Sequence, residues 1–295
     1  MYFSFEEEKT VDKIYGNDED IESLIYDEED TRCDTGFCQS PVNLISRDAV
    51  YRPLDIHKPF DFRYTECREC VLQNTGSAAR VIFQHPTGSS NDSQSSYKSY
   101  IIGGPLLNDT RYKLSEMYFH WGKDDTVGSE HTVNNTAFPM EIQLIHWNST
   151  YYHCADEAAK GENGLVIVTI FVQVGRMHEE LETLIDNFWA IQYKGQSKVI
   201  GTTFNPSCLL PHPSLRDYWT YSGSLTWPPF SENVEWILLR YPLTVSHQQL
   251  YEFRRLKKHV KHDLTVETRH EDFLNNNFRP LQPLNGRTIW ASFES

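Results

Sequence analysis

The sequence lacks any apolar run long enough to cross a membrane. Its first residues, MYFSFEEEKT, also lack the basic and apolar regions of a secretory signal peptide. Cysteine is scarce, with six residues in a chain of 295. Few cysteines without a secretion signal favour free thiols in a reducing compartment over a disulfide scaffold. We therefore expect a cytoplasmic protein that does not insert into membranes.

Basic residues are outnumbered, because 27 Lys and Arg stand against 41 Asp and Glu and give a net charge of −14. This balance argues against binding to nucleic acid or to anionic membrane surfaces. The imbalance is strongest in residues 1–30, where twelve acidic residues accompany only Lys9 and Lys13. Because no hydrophobic period is sustained there, we predict an acidic, flexible extension over 1–30 and a single domain over 31–295.

Short aliphatic and aromatic runs separated by turns dominate the rest of the chain. The stretches EMYFHWG, FPMEIQLIHW and VEWILLRYPLTV are typical of half-buried or buried strands. The run Leu165–Val174 is too apolar for an edge strand, so we place it in the centre of a sheet. A stretch rich in Ser, Gly and Asn predicts a surface loop over residues 85–99. The pattern indicates a mixed α/β, sheet-dominated domain.

Helical spacing is limited to two segments, residues 178–193 and 246–260. In the second segment, Ser246 is a suitable N-cap. The basic run Lys257–His259 suits the negative end of the helix dipole. We expect both helices at the periphery of the sheet.

One Cys-x-x-Cys pair, Cys67 and Cys70, is present. A single pair without a second pair or a following helix is weak evidence for a zinc or redox site. Because residues three apart in a strand point to opposite faces, joint metal binding is disfavoured, and we expect two ordinary thiols near a strand.

The stretch EMYFHWGKDDTVGSEHTV has the character of an enzyme strand and its following loop. Tyr118 and His120 project to the same face of the predicted strand. In the later strand MEIQLIHW, Glu141 and Gln143 share one face and His146 lies on the other. A catalytic zinc takes three protein ligands and leaves one position for water. Two histidines two residues apart, with a third on a neighbouring strand, would supply those ligands.

These motifs resemble the α-carbonic anhydrase family. In chain order they are QSPVNL, FHWG, GSEHTV, FPMEIQLIHWNST, GSLTWPP and NNFRPLQPLNGR, and the similarity runs from about Gln39 to Phe293. Three sequence segments are most similar to the non-catalytic, carbonic anhydrase-related type VIII subgroup: NTAFPMEIQLIHWNST, IQYKGQSKVI and LRDYW. The resemblance implies the α-carbonic anhydrase fold, with a large, mostly antiparallel central β-sheet and peripheral helices.

The resemblance also implies that the family's zinc site is broken here. Active members carry His-x-His before Trp-Gly, and this sequence has Tyr118 and His120 at those positions. The family's third histidine corresponds to Gln143. Histidines elsewhere, His131 and His146, occupy positions that the family uses structurally, so we do not expect a relocated metal site.

Four further positions surround the vestigial pocket that the resemblance implies. The proton-shuttle histidine corresponds to Ser77, and the residues that orient zinc-bound hydroxide correspond to Glu130 and Thr226. The bulky Trp227 stands in the substrate pocket. If zinc is absent, we expect Glu130 and Thr226 to belong to a buried hydrogen-bond network.

The chemistry of the replaced residues agrees with a loss of zinc. Gln143 offers a neutral amide, whereas zinc prefers imidazole, thiolate or carboxylate. Tyr118 would have to lose a proton from a phenol with a pKa of about 10. Without metal, water keeps a pKa of about 15.7, so no hydroxide forms at neutral pH. We expect no zinc, and we expect the phenol of Tyr118 to bond a carboxylate such as Glu116, or water.

The type VIII resemblance implies a catalytically inactive cytoplasmic protein that binds the inositol 1,4,5-trisphosphate receptor and acts in calcium signalling. The acidic residues 1–30 suggest an electrostatic contact with a basic partner surface. Two alternatives stay open. One is an enzyme with residual carbonate dehydratase or esterase activity. The other is a secreted adhesion or ligand-binding module, which the sequons at Asn91, Asn108, Asn134 and Asn148 would favour.

Overall fold

The computed structural model describes residues 36–53, 58–83, 99–107, 110–261 and 272–294. The predicted extension over 1–30 lies outside these ranges, as does all but one residue of the predicted loop 85–99. In the part of the chain that is described, no helix is long and apolar enough to cross a membrane.

Fourteen strands and three α-helices occur within the described residues. The strands are β1 (Asn43–Leu44), β2 (Val50–Tyr51), β3 (Asp61–Arg63), β4 (Cys70–Asn74), β5 (Ala79–Phe83), β6 (Tyr100–Ile102), β7 (Tyr112–Trp121), β8 (Thr132–Val133), β9 (Met140–Asn148), β10 (Leu165–Val174), β11 (Ser197–Ile200), β12 (Tyr218–Gly223), β13 (Val234–Val245) and β14 (Trp290–Ala291). The helices are α1 (Ala155–Ala158), α2 (Glu179–Ile185) and α3 (His247–Arg254).

Twelve of the described strands form one sheet, whose main order is β11-β4-β5-β7-β9-β10-β13-β12-β14-β2. Strand β6 joins it by pairing with β3 and β7. Neighbouring strands are antiparallel except for two parallel pairs, β10 with β13 and β14 with β2. Outside this sheet, β1 and β8 form a parallel ladder. The predicted sheet-dominated, mostly antiparallel fold is confirmed.

Strand β10 lies between β9 and β13, as its apolar sequence predicted. Its first eight residues are buried. Alternate side chains enter two cores on opposite faces of the sheet, Val166 and Val168 in one and Leu165 and Ile167 in the other. Burial on both faces explains the nearly continuous apolar run, because an unpaired polar side chain is costly on either face.

The first predicted helix is shorter than residues 178–193. Helix α2 ends at Ile185, and a separate 3₁₀ turn follows over Phe188–Ala190. The side chain of Asn187 marks the break, because its amide donates to the backbone oxygen of Thr183 at 2.9 Å. Such side-chain bonds compete with the regular helical ladder.

The second predicted helix begins where expected and ends early. Ser246 accepts a hydrogen bond from the backbone of Gln249, whose side chain bonds back to the backbone of Ser246. Helix α3 ends at Arg254, so the basic run Lys257–His259 lies beyond its C-terminus. There the backbone N–H of Lys257 donates to the oxygen of Gln192 at 2.8 Å, a tertiary bond that replaces a helical one.

Cys67 and Cys70 are both free thiols, as expected. Cys67 precedes β4, which begins only at Cys70, and the bend between them removes the strand alternation. Both side chains are buried, and the two thiols influence each other's ionisation. The neighbouring Cys70 lowers the pKa of the Cys67 thiol. The pair nevertheless has no disulfide.

Candidate functional site

Strands β7 and β9 bring the expected pocket residues together. Tyr118 lies directly opposite Gln143, and His120 lies opposite Glu141. The antiparallel pairing therefore places Tyr118, His120 and Gln143 side by side, as the strand alternation predicted.

The side chain of Gln143 is buried and held by two carboxylates. Its amide nitrogen donates to Oε2 of Glu130 at 2.8 Å and to Oε1 of Glu141 at 2.9 Å. A primary amide has two N–H donors, so both are used. Its Oε1 atom has no hydrogen-bond partner among the described residues. Gln143 thus occupies its position as a hydrogen-bond donor to anions.

Glu141 belongs to a buried network that reaches β12. Its carboxylate accepts from the backbone N–H of His131 at 2.9 Å and lies 3.0 Å from Nδ1 of the same residue. Nε2 of His131 lies 2.7 Å from the hydroxyl of Tyr221, which donates to Ser40. Burial raises the pKa of Glu141, but His131 and the amide of Gln143 outweigh it and hold that pKa below its usual value. Both ring nitrogens of His131 are engaged, so it is not available as a metal ligand.

His120 has one engaged ring nitrogen and one that is unpartnered. Its Nδ1 lies 2.6 Å from the backbone oxygen of Asn277. Since a carbonyl oxygen only accepts, Nδ1 carries a proton. Nε2 is buried without a partner in the described part of the chain. In the neutral ring that atom is a hydrogen-bond acceptor.

Tyr118 bonds a cation, Arg80, and its phenol also interacts with the expected carboxylate, Glu116. Its hydroxyl accepts from Arg80 at 3.2 Å, and the same guanidinium nitrogen lies 3.7 Å from the carboxylate of Glu116. The ring of Tyr118 stacks on Trp227 with centroids 5.1 Å apart. Burial raises the pKa of the phenol well above its ordinary value, with a further contribution from Glu116. The phenolate that a metal would need is therefore strongly disfavoured.

Glu130 is engaged, but not with Thr226. Its Oε1 accepts from the backbone N–H of Arg279 at 3.0 Å, and its Oε2 accepts from Gln143. The hydroxyl of Thr226 is buried and has no hydrogen-bond partner among the described residues. Among the described residues, the expected buried network therefore includes Glu130 but not Thr226.

Ser77 lies in a tight turn between β4 and β5. Its hydroxyl is 3.1 Å from that of Thr75, and the turn needs the positive φ of 89° at Gly76. A hydroxyl with this local partner does not replace an imidazole that titrates near neutral pH.

His146 lies on the other face of β9, as predicted. Its Nε2 is 2.8 Å from the hydroxyl of Tyr64, and its Nδ1 is 3.3 Å from the backbone oxygen of Val166. Burial lowers the pKa of His146 to about 3, so the ring is neutral at physiological pH. This histidine is a structural residue of the opposite core.

The donor set at the pocket does not fit zinc. It offers one imidazole nitrogen, a phenol with a raised pKa, and an amide whose nitrogen is bound to two carboxylates. No group of three or more His, Cys, Asp and Glu able to hold a metal ion occurs within the described residues. The unpartnered atoms of His120, Gln143 and Thr226 instead suit a small hydrogen-bond donor such as water.

Arg80, Asn277 and Arg279 were missed by the sequence analysis. Asn277 is 157 positions from the histidine it anchors, and Arg279 is 149 positions from Glu130. No local spacing links such residues, so only the folded structure shows their roles.

The sequence profile of eukaryotic-type carbonic anhydrases matches residues 26–293. The carbonic anhydrase-related proteins of Rattus norvegicus and Homo sapiens are each 48% identical to this chain over 259 residues, which cover 88% of it and 84% of each relative. Carbonic anhydrase 7 of Homo sapiens is 41% identical over 257 residues, which cover 87% of this chain and 89% of the relative. This chain therefore belongs to the carbonic anhydrase family. Within the family, it is similar to carbonic anhydrase-related protein over most of its length.

Proposed function

We propose that this protein is a catalytically inactive carbonic anhydrase-related protein that acts as a binding and regulatory protein. The observation that carries the proposal is Gln143, which donates both amide hydrogens to Glu130 and Glu141 where the family places a histidine ligand. Tyr118 removes a second ligand, which leaves His120 alone. One imidazole does not hold a catalytic zinc, and water without zinc does not supply hydroxide at neutral pH.

The proposed partner is the inositol 1,4,5-trisphosphate receptor in the cytoplasm, with an effect on calcium signalling. Support comes from the type VIII motifs and from the similarity to carbonic anhydrase-related protein. We further propose that residues 31–295 form the binding domain and that the acidic residues 1–30 add electrostatic attraction.

The partner is tested by measuring the affinity of the purified receptor for the full chain and for a variant without residues 1–30, each at two ionic strengths. We expect the deletion to weaken binding more at low salt, because screening reduces contacts between exposed charges. Equal affinities at both ionic strengths would remove the extension from the mechanism. No binding by the full chain would refute the partner.

The competing candidate is a zinc carbonate dehydratase or esterase with residual activity. The identity of 41% to carbonic anhydrase 7 favours it, as does the presence of His120, Glu130 and Thr226. Metal analysis of the purified protein decides between the two, together with assays of carbon dioxide hydration and ester hydrolysis. We expect no stoichiometric zinc and no turnover above background. One tightly held zinc per chain with chelator-sensitive hydration would overturn the proposed function.

A further inference from the structure

Residues 189–200 and 257–261 meet on one surface, which we call the lysine face. The backbone N–H of Lys194 donates to the oxygen of His259 at 3.0 Å, and that of Lys257 donates to the oxygen of Gln192 at 2.8 Å. The rings of Tyr193 and His259 are also in contact, with centroids 5.7 Å apart. These contacts make the two segments a continuous surface.

The lysine face carries an unusual excess of positive charge. Four of its lysines have no carboxylate within ion-pair distance among the described residues: Lys194, Lys198, Lys258 and Lys261. The two segments contain no acidic residue, although the chain as a whole has a charge of −14. Clustered like charges repel each other, so this arrangement favours an anionic binding partner.

The lysine face also exposes apolar side chains. Trp189 is 74% exposed, and Val199 is 43% exposed. The ammonium group of Lys198 lies 5.7 Å from the centroid of the Trp189 ring. Tryptophan is enriched at protein interfaces, where a flat ring buries a large area. The surface therefore offers apolar contact beside its charges.

Strand β11 supplies a third feature, an open sheet edge. It is the last strand of the sheet and pairs only with β4 among the described strands. The backbone N–H of Asn74 in β4 donates to the backbone oxygen of Gln196. Along an antiparallel ladder, residue pairs that exchange backbone hydrogen bonds alternate with pairs that do not. The backbone groups of Ser197 and Val199 are consequently directed away from β4. Such an edge accepts an added strand.

We infer that the lysine face binds an extended acidic segment of a partner protein, which adds beside β11 as a further strand. This inference rests on the proposed function as a binding protein. Carboxylates of the segment pair with Lys194 and Lys198, and an apolar side chain packs on Trp189. The overall negative charge disfavours a nucleic acid or an anionic membrane as the partner. Either would extend beyond the lysine face and be repelled by the acidic surface around it.

The probe is a short synthetic peptide in which Glu alternates with Val and Tyr, titrated calorimetrically into the full-length protein at two ionic strengths. Double replacement of Lys194 and Lys198 by Glu should weaken binding about tenfold, or about 1.4 kcal/mol. The matched control replaces Lys123 and Lys160 by Glu, which changes the net charge equally outside the lysine face. We expect that control to bind within about twofold of the wild type.

A second variant tests strand addition. Val199→Pro removes an N–H that points away from β4, so it should weaken peptide binding while β11 stays paired, since proline is tolerated at sheet edges. Val199→Thr keeps the N–H and serves as its control. Thermal unfolding of both variants verifies that the fold is retained.

Several results would overturn the inference. They are absent binding by the wild type, equal weakening in the lysine-face and control variants, and unchanged binding by Val199→Pro. Preferential binding of anionic vesicles over the peptide would assign the face to a membrane, and self-association lost in the lysine-face variant would assign it to a second copy of the chain. Zinc content and hydration, measured on the same preparations, test the proposed function separately.

Discussion

Restoring the family's ligand set is the strongest test of the pocket. The double variant Tyr118→His, Gln143→His places three imidazoles on β7 and β9, at positions that the strand register already brings together. We expect it to bind zinc, whereas the wild type and each single variant should not bind it stoichiometrically. Turnover should remain low, because Ser77 does not shuttle protons and Trp227 stacks beside the site.

The metal-free double variant should be weakened but folded. Gln143 donates two hydrogen bonds to carboxylates, each worth roughly 1.5–3 kcal/mol, and a neutral histidine can replace at most one of them. Loss of the stacking between Tyr118 and Trp227 adds roughly 0.5–1.5 kcal/mol. The combined cost of about 2–4.5 kcal/mol is smaller than the typical total stability of about 5–15 kcal/mol.

Zinc binding should restore much of the stability that the double variant loses. A ligand present at 100 to 1,000 times its Kd stabilises the folded state by about 2.7–4.1 kcal/mol. For a domain of this size each kcal/mol raises Tm by about 2–4 °C, so calorimetry with zinc and with a chelator should differ by about 5–15 °C. The single variants are the matched controls.

Two results would refute this account of the pocket. A wild-type protein stabilised by zinc as much as the double variant would show that Tyr118 and Gln143 do not exclude the metal. A folded double variant that holds no zinc would show that restoring the missing imidazoles is not sufficient to rebuild the site.

Three further predictions concern stability, each measured by urea unfolding. Gln143→Glu places a third carboxylate beside Glu130 and Glu141, so the pKa of the carboxyl introduced at position 143 should exceed, in the folded state, its unfolded value of about 4.3. The variant should therefore lose stability relative to the wild type as pH rises above that value. A difference in unfolding free energy that does not change with pH would contradict this. Burial lowers the pKa of His146 from 6.5 to about 3 in the folded state, so the stability of the wild type should decrease as pH falls from about 6.5 towards 3, by at most roughly 4–5 kcal/mol. His146→Leu should reduce this dependence of stability on pH. An unchanged dependence would exclude His146 as its source. Ser246→Ala should lower the free energy of unfolding by about 0.5–2 kcal/mol, because it removes the N-cap of α3. The exposed control Ser197→Ala should lower it little. Equal losses in the two variants would show that the cap does not stabilise the protein.

The sheet was predictable because its strands carry local signals. An apolar run such as Leu165–Val174 needs cover on both faces, and only a central strand has it. The helix ends were not predictable to the residue. Asn187 breaks the first predicted helix, and the contact from Lys257 to Gln192 lies beyond the end of the second. The same limit applies to Cys67 and Cys70, where a bend brought together two thiols that strand alternation would have separated.

By itself, the sequence supplied the prediction that two of the family's three zinc-ligand positions are replaced. The period of two in a strand places Tyr118 and His120 on one face, and Gln143 stands where the resemblance implies the third imidazole, so only His120 is retained. Only the tertiary structure decided what these side chains do instead. Arg80 donates a hydrogen bond to Tyr118, and Gln143 donates to two carboxylates, Glu130 and Glu141. Glu130 also accepts from the backbone of Arg279. The physical reason is range: strand alternation is a property of neighbouring residues, whereas hydrogen-bond partners come from segments that meet only when the sheet forms.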